Sequence, residues 1–260
     1  MLNKHEGLLP VIIAPEAVVR RFVDAGLRPD GRAFDEARDA RLGEDPTLRS
    51  SSAGTLTIGS ALARIGATQA LCTVGLGLGA PGEPFVKVGV SVGTSGRELS
   101  WARSVELLLA DACERVVERL ERWTLALSVT CLWDDGGLLD CCAFAMAAAL
   151  ADARLPETEE RGDVVAVVRS RATPLLRGKR KDVVGLPLTC AVFGTTVLVD
   201  PTAAEERVST LVTVLCREDD AIVKIKQHPG GPVATSPDLI RACVHHARRR
   251  AKELASLLPQ

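Results

Sequence analysis

The densest group of chemically capable side chains is WDDGGLLDCC, Trp133 to Cys142, where three carboxylates and two thiols surround a pair of glycines. Carboxylates beside thiols could ligate a metal or exchange protons. Adjacent Cys141 and Cys142, however, would diverge by about 100° on a helix, and no second Cys or His pair stands at zinc-finger spacing, so the pattern defines no metal centre. Asp-Gly sequences favour sharp turns, SVTCLW before them reads as a strand, and LLDCCAFAMAAALADA after them is apolar nearly all round. The expectation is a strand, a turn and a buried helix that carries both thiols into the core.

Other chemistry is equally constrained. His5, His228, His245 and His246 lack an HExxH context; the last two are expected on the polar side of a final helix, and His228 in the loop QHPGGP. No GxSxG elbow is present, and GLGLGAPGEP does not end in the GK[ST] of a phosphate loop. No metal and no cofactor is therefore assigned. Two basic clusters, RSRATPLLRGKRKD from Arg169 to Asp182 and Arg248 to Arg250, could neutralise phosphates or serve only as solvated surface.

The elements that must position these groups follow from pattern. The 260 residues are 47% hydrophobic, 25% charged and 3% aromatic with no tyrosine, and the net charge is −1. This suits a globular protein with a Val, Leu and Ala core, few aromatic platforms for bases, and no global basic field. Eight cysteines, mostly within apolar runs and without a CxxC pair, are read as reduced small hydrophobes of an intracellular protein. No apolar run approaches the roughly 20 residues of a membrane span, so no membrane is expected.

APEAVVRRFVDAG predicts a leading helix ended by Gly26, and Arg28 to Ser52 a polar surface loop. Leu56 to Leu76 predicts a hairpin with Leu56, Ile58, Ser60 and Leu62 on one face, turning at Gly66-Ala67; Val86 to Val92 and LALSVTCLW predict strands, and Ser100 to Trp123 an amphipathic helix. RLPETEERGDV is expected to connect two halves, with Pro156 ending the preceding helix. LTCAVFGTTVLVD and LVTVLCREDDAIVKIKQ predict two more hairpins, and Ser236-Pro237-Asp238 caps a last helix with Leu239, Cys243, Ala247, Ala251, Leu254 and Leu258 buried. The fold class is α+β: an N-terminal arm at 1–27, then halves at about 28–155 and 160–260, each a β-sheet packed with helices.

LRPDGRAFDEARD makes a more specific comparison possible. Arg28 to Arg32 with Glu36 and Arg38, GSALARIGATQALCTV, LTCAVFGTTVLVDPTAAEE and HPGG before a capped helix together resemble the RNase PH family, over nearly the whole chain from about Arg20. The resemblance implies an RNase PH-like domain and a place in a hexameric ring of such subunits, as in the RNA exosome, with S1/KH-type cap subunits and RNA as partners. It also implies a nuclear, nucleolar and cytoplasmic location. RRF before RPDGR, DGGLLDCCAFAMAAAL and DPTAAEE most resemble an exosome ring subunit.

Active members of the family share a G-R-x-x-E-x-x-R element and a D-x-x-x-x-E-D turn followed by another acid. Here GRELSWAR keeps Gly96, Arg97 and Arg103 but has Ser100 in place of the acid, and DPTAAEE keeps Asp200, places Glu206 second and lacks the later aspartate. Phosphorolysis needs cations to hold an anionic nucleophile against an anionic substrate, and an acid for the leaving group. The expectation is therefore no catalytic residues, with Asp200 and Glu206 as turn and solvated residues. Arg97, Arg103, Lys179, Arg180 and Lys181 are the expected RNA contacts, as sequence-independent phosphate binders. The alternatives are an active phosphorolytic 3′ to 5′ exoribonuclease and a purely structural ring subunit without RNA contact.

Overall fold

Period-two alternation and short turns build four antiparallel hairpins among the described residues, and three of them lie in the sheets that enclose the core. The computed structural model describes residues 15–43, 56–78, 86–92, 123–161, 164–176, 184–228 and 236–259. Helix α1 (Pro15–Asp24) and strand β1 (Ala40–Gly43) precede the hairpin β2 (Leu56–Ile65) and β3 (Thr68–Leu78). Strands β4 (Val86–Val92) and β5 (Trp123–Trp133) complete a five-stranded sheet in the order β1-β2-β3-β5-β4, with β4 parallel to β5 and the other pairs antiparallel. The predicted helix from Ser100 falls outside the described residues, apart from Trp123, which opens β5.

Helix α2 (Leu138–Asp152) follows β5 as expected, with every residue from Leu138 to Ala151 buried. The segment read as a connection is instead strand β6 (Arg154–Arg161), paired with β7 (Val164–Pro174). Pro156 does not end the helix. It sits where the β6–β7 register shifts, a position that spares a proline the ladder bond it cannot donate.

The second sheet is antiparallel, in the order β11-β10-β8-β9. It contains the expected hairpins β8 (Leu186–Phe193) with β9 (Thr196–Val199), and β10 (Thr210–Cys216) with β11 (Ile222–Gln227), separated by the single turn of α3 (Ala203–Glu206). Helix α4 (Pro237–Leu257) begins at Ser236, whose hydroxyl accepts the Leu239 N–H at 3.4 Å, and buries Cys243, Ala247, Ala251 and Leu254.

One core joins the two sheets. Helix α2 packs on β2, β3, β5 and β8, while α4 covers β8, β9 and β10 and reaches β1. Such a doubly covered helix can carry no polar face, which explains its Ala-rich sequence. Its close approach to β2 fixes Gly59, where a Cβ would lie 2.5 Å from the Ala149 carbonyl oxygen. A bulge between Thr57 and Gly59 also shifts the alternation, so Ala61, Ala63 and Ile65 are buried while Leu62 is only partly so. A smaller cluster of Val19, Val23, Ala191, Leu198 and Val208 fastens α1 to the second sheet. Gly26 and Leu27 close α1 by donating to the Val23 and Phe22 carbonyls at 3.0 and 2.9 Å.

Candidate functional site

The RPDGR leader and the DPTAAEE turn meet in a buried clasp. The Arg28 guanidinium holds Glu205 through Nε to Oε1 at 2.9 Å and Nη2 to Oε2 at 2.6 Å, and neither side chain is exposed. Its remaining donors reach the Val199 and Asp200 carbonyls at 3.0 and 3.2 Å. Arg32 adds bonds to the Asp200 and Glu36 carbonyls at 3.1 and 3.0 Å and to Asp30 Oδ2 at 2.7 Å. Residues 28–39 of the predicted surface loop are thus a strap whose Arg28, Arg32 and Arg38 are spent inward. Ala40–Gly43 form β1, and residues 44–52 lie outside the described residues. Arg28 and Arg38 are 3% and 8% exposed because five fixed donors can satisfy several carbonyls and a carboxylate together.

Arg38 forms the centre. It donates from Nη2 to Asp200 Oδ1 at 2.6 Å, and from Nε and its backbone N–H to Oδ2 at 3.0 and 2.8 Å. The other face of the guanidinium donates to the Asp135 and Gly136 carbonyls at 2.8 and 3.0 Å. From α4, buried Arg250 donates to the Arg38 carbonyl at 2.7 Å. Burial pushes the Asp200 carboxyl up, but hydrogen bonding and charge from Arg38 outweigh it and hold the carboxyl below its usual value. The same pairing raises Arg38 against its own desolvation.

Local sequence explains the shape. Asp200 takes φ of +49°, a left-handed conformation that Asp tolerates, and Thr202 caps α3 in a capping box with Glu205. Glu205 therefore both caps the turn and receives Arg28. The DGG turn is sewn to it, with Gly137 donating to Glu206 Oε1 at 2.7 Å and Ala203 to the Asp135 carbonyl at 3.1 Å. Thr68, on the first hairpin, donates to the Gly136 carbonyl at 2.7 Å and accepts the Asp135 N–H at 3.0 Å.

These contacts correct the sequence-based expectation for the acids. Asp200 is 1% exposed and Glu206 is partly buried, so neither is a solvated turn residue. Arg250 is likewise removed from the phosphate-binding cluster, whereas Arg248 and Arg249 are exposed. His245 is exposed and His246 partly buried on α4. Arg97, Arg103, Lys179, Arg180 and Lys181, with all of GRELSWAR, lie outside the described residues.

WDDGGLLDCC is the strand, turn and helix that its composition predicts. The seven described cysteines are buried thiols outside any disulfide, and Cys113 lies outside the described residues. Burial pushes the Cys131 thiol up to about 11 and Cys141 to about 12, which removes them as nucleophiles at neutral pH. Among the described residues, no group of three or more His, Cys, Asp or Glu side chains could hold a metal ion, and no helix is long and apolar enough to cross a membrane. Asp140 is the functional group that the motif conceals. It is 2% exposed and accepts the Thr189 N–H and hydroxyl at 2.7 and 2.9 Å, a pairing that no local pattern could disclose.

Two sheets sharing α2 and α4, with the strap and the DPT turn clasped between them, constitute an RNase PH-like α+β fold. Residues 47–156 match the family described as RNase_PH, 3′ exoribonuclease family, domain 1. The chain is 27% identical to exosome complex component Rrp42 of Methanothermobacter thermautotrophicus, with 93% of this chain and 92% of that protein covered. It superposes on a chain of an archaeal exosome core with a TM-score of 0.68 at 23% identity, covering 96% of this chain and 98% of the other. A chain of the Archaeoglobus fulgidus exosome with RNA bound to the active site gives 0.70 at 23% identity, covering 93% and 96%.

Proposed function

We propose that this chain is a non-catalytic RNase PH-like subunit of an exosome core ring, supplying scaffold and basic channel lining for 3′ to 5′ RNA processing and degradation, including that of rRNA. The observation that carries this reading is the commitment of Asp200. The carboxylate at the first acid position of the turn has both oxygens bound to Arg38, and its neighbour Glu206 is bonded to Gly137. A carboxylate held below its ordinary range by a buried guanidinium is poorly suited to give a proton to a leaving group. The likeness to exosome complex component Rrp42 over most of both chains supports the ring assignment.

Within that class, RRF, DGGLLDCCAFAMAAAL and DPTAAEE support the finer reading as a counterpart of ribosomal RNA-processing protein 43. Its partners are then other RNase PH-like subunits of a hexameric ring, S1/KH-type cap subunits, and RNA held at phosphates by Arg97, Arg103, Lys179, Arg180 and Lys181. The same reading puts it in nucleus, nucleolus and cytoplasm. Co-expression with RNase PH-like ring subunits, followed by size exclusion and identification of the co-purifying chains, tests the assignment. A ring-sized complex is expected, and a monodisperse monomer under those conditions overturns it.

A further inference from the structure

Asp140 begins a hydrogen-bonded chain that leaves the core. Its Oδ1 meets Thr189 Oγ1 at 2.9 Å, Thr189 Oγ1 meets Thr213 Oγ1 at 3.0 Å, and Thr213 Oγ1 meets His228 Nε2 at 2.8 Å. Thr189 and Thr213 are direct cross-strand partners on β8 and β10, so the ladder itself sets their spacing. Asp140 and Thr213 are 2% and 1% exposed and Thr189 5%, whereas His228, just beyond β11, is only partly buried.

Each threonine has one hydroxyl proton, so the chain has only two consistent directions. With Asp140 protonated on Oδ1, each group donates toward His228, whose Nε2 must accept and whose Nδ1 must carry the proton. With Asp140 ionised, every bond reverses and Nε2–H donates to Thr213. We infer that Asp140, Thr189, Thr213 and His228 form a proton relay, a pH-sensitive device in which the state of a buried carboxyl is read as the tautomer of a histidine at the surface. In the balanced step, Asp140 passes its proton to Thr189, Thr189 its own to Thr213, and Thr213 its own to His228 Nε2, while His228 Nδ1 releases one proton to water.

The surroundings give the relay a consequence. Burial first, then the charges of Asp200 and Glu206, raise Asp140 to about 8 against the two bonds from Thr189; Arg38 is the facing cation, and Cys141 and Cys190 are the facing thiols. Burial and Lys226 lower His228, which keeps the imidazole neutral, as an accepting nitrogen requires. Ionising Asp140 sets a third carboxylate beside Asp200 and Glu206 and reverses the bonds across β8 and β10. This relay does not depend on the exosome reading.

Nitrogen-15 NMR of histidine-labelled full-length protein, with His228 assigned through His228→Gln, tests the relay. His228 is expected to change from the Nδ1–H to the Nε2–H tautomer with a midpoint near pH 8. Asp140→Asn, whose amide must donate to Thr189 Oγ1 once its oxygen accepts the Thr189 N–H, should hold the Nδ1–H tautomer throughout. Thr213→Val should abolish the step near pH 8 and Thr213→Ser restore it, which keeps the test valid even if Asp140→Asn fails to fold. A tautomer that ignores pH near 8 in the unmodified protein, or an unchanged step in Thr213→Val, overturns the inference.

Discussion

Asp200 grips Arg38 with both carboxylate oxygens, at 2.6 and 3.0 Å, and one of those oxygens also takes Arg38's backbone N–H at 2.8 Å. Asp200, the acid that opens the DPT turn, is thereby a structural pin between the strap and the second sheet. Asp200→Asn removes the charge and leaves the guanidinium buried, so unfolding in urea should show a destabilisation of about 3 to 5 kcal/mol. An unchanged midpoint and slope would mean that the carboxylate is not needed to hold the clasp.

Asp200 and Asp140 set opposite pH dependences. Asp200 is held below 3.8, so its contribution is complete above that value and is lost as pH falls through the lowered folded value. Asp140 is raised from 3.8 to about 8, so the folded state holds an extra proton in that window and stability declines as pH rises through it. The decline is at most about 1.4 kcal/mol per pH unit. Urea midpoints across that range should fall for the unmodified protein and stay flatter for Asp140→Asn; parallel curves would contradict the assignment.

Gly136 should tolerate no side chain. Its φ is +85°, and a Cβ would lie 2.5 Å from Ala203 N, Pro201 O and Thr202 C, all backbone atoms of the DPT segment. Gly136→Ala is expected to cost more than about 3 kcal/mol or prevent folding. Gly31→Ala, at φ of +80° with open space around the Cβ, should cost only about 1 to 2 kcal/mol. Equal costs would show that the fit between the turns is looser than the distances require.

RNA binding through the basic run has its own test. Reversing charge at Lys179, Arg180 and Lys181 in an intact ring should reduce RNA protection and flatten its salt dependence by roughly one unit of slope for each phosphate no longer neutralised. Unchanged protection would leave a scaffold that does not touch RNA.

Much of the fold is legible because its signals are local. Ser236-Pro237 announces a helix start, alternating apolar residues mark the hairpins, and an Ala-rich segment without a polar face can only be buried. Arg154 to Arg161 reads as a link because of its proline and charges, and only pairing with β7 turns that segment into a strand. The clasp is legible as motifs but not as a clasp. RPDGR and DPTAAEE are charged and turn-rich, so each reads as surface until Arg28 meets Glu205, 177 residues away. The Asp140 relay depends on β8 and β10 lying in register, which one helix's sequence cannot reveal.

The most direct test of the central claim is phosphorolysis. Purified protein, alone and assembled with its ring partners, would be incubated with oligoadenylate, phosphate and magnesium, and nucleoside diphosphates measured. For the isolated chain no ADP is expected, and any activity of the assembly should be unaffected by Asp200→Asn in a folded ring. ADP released by the chain alone, or activity of the folded ring abolished by Asp200→Asn, would contradict a non-catalytic subunit.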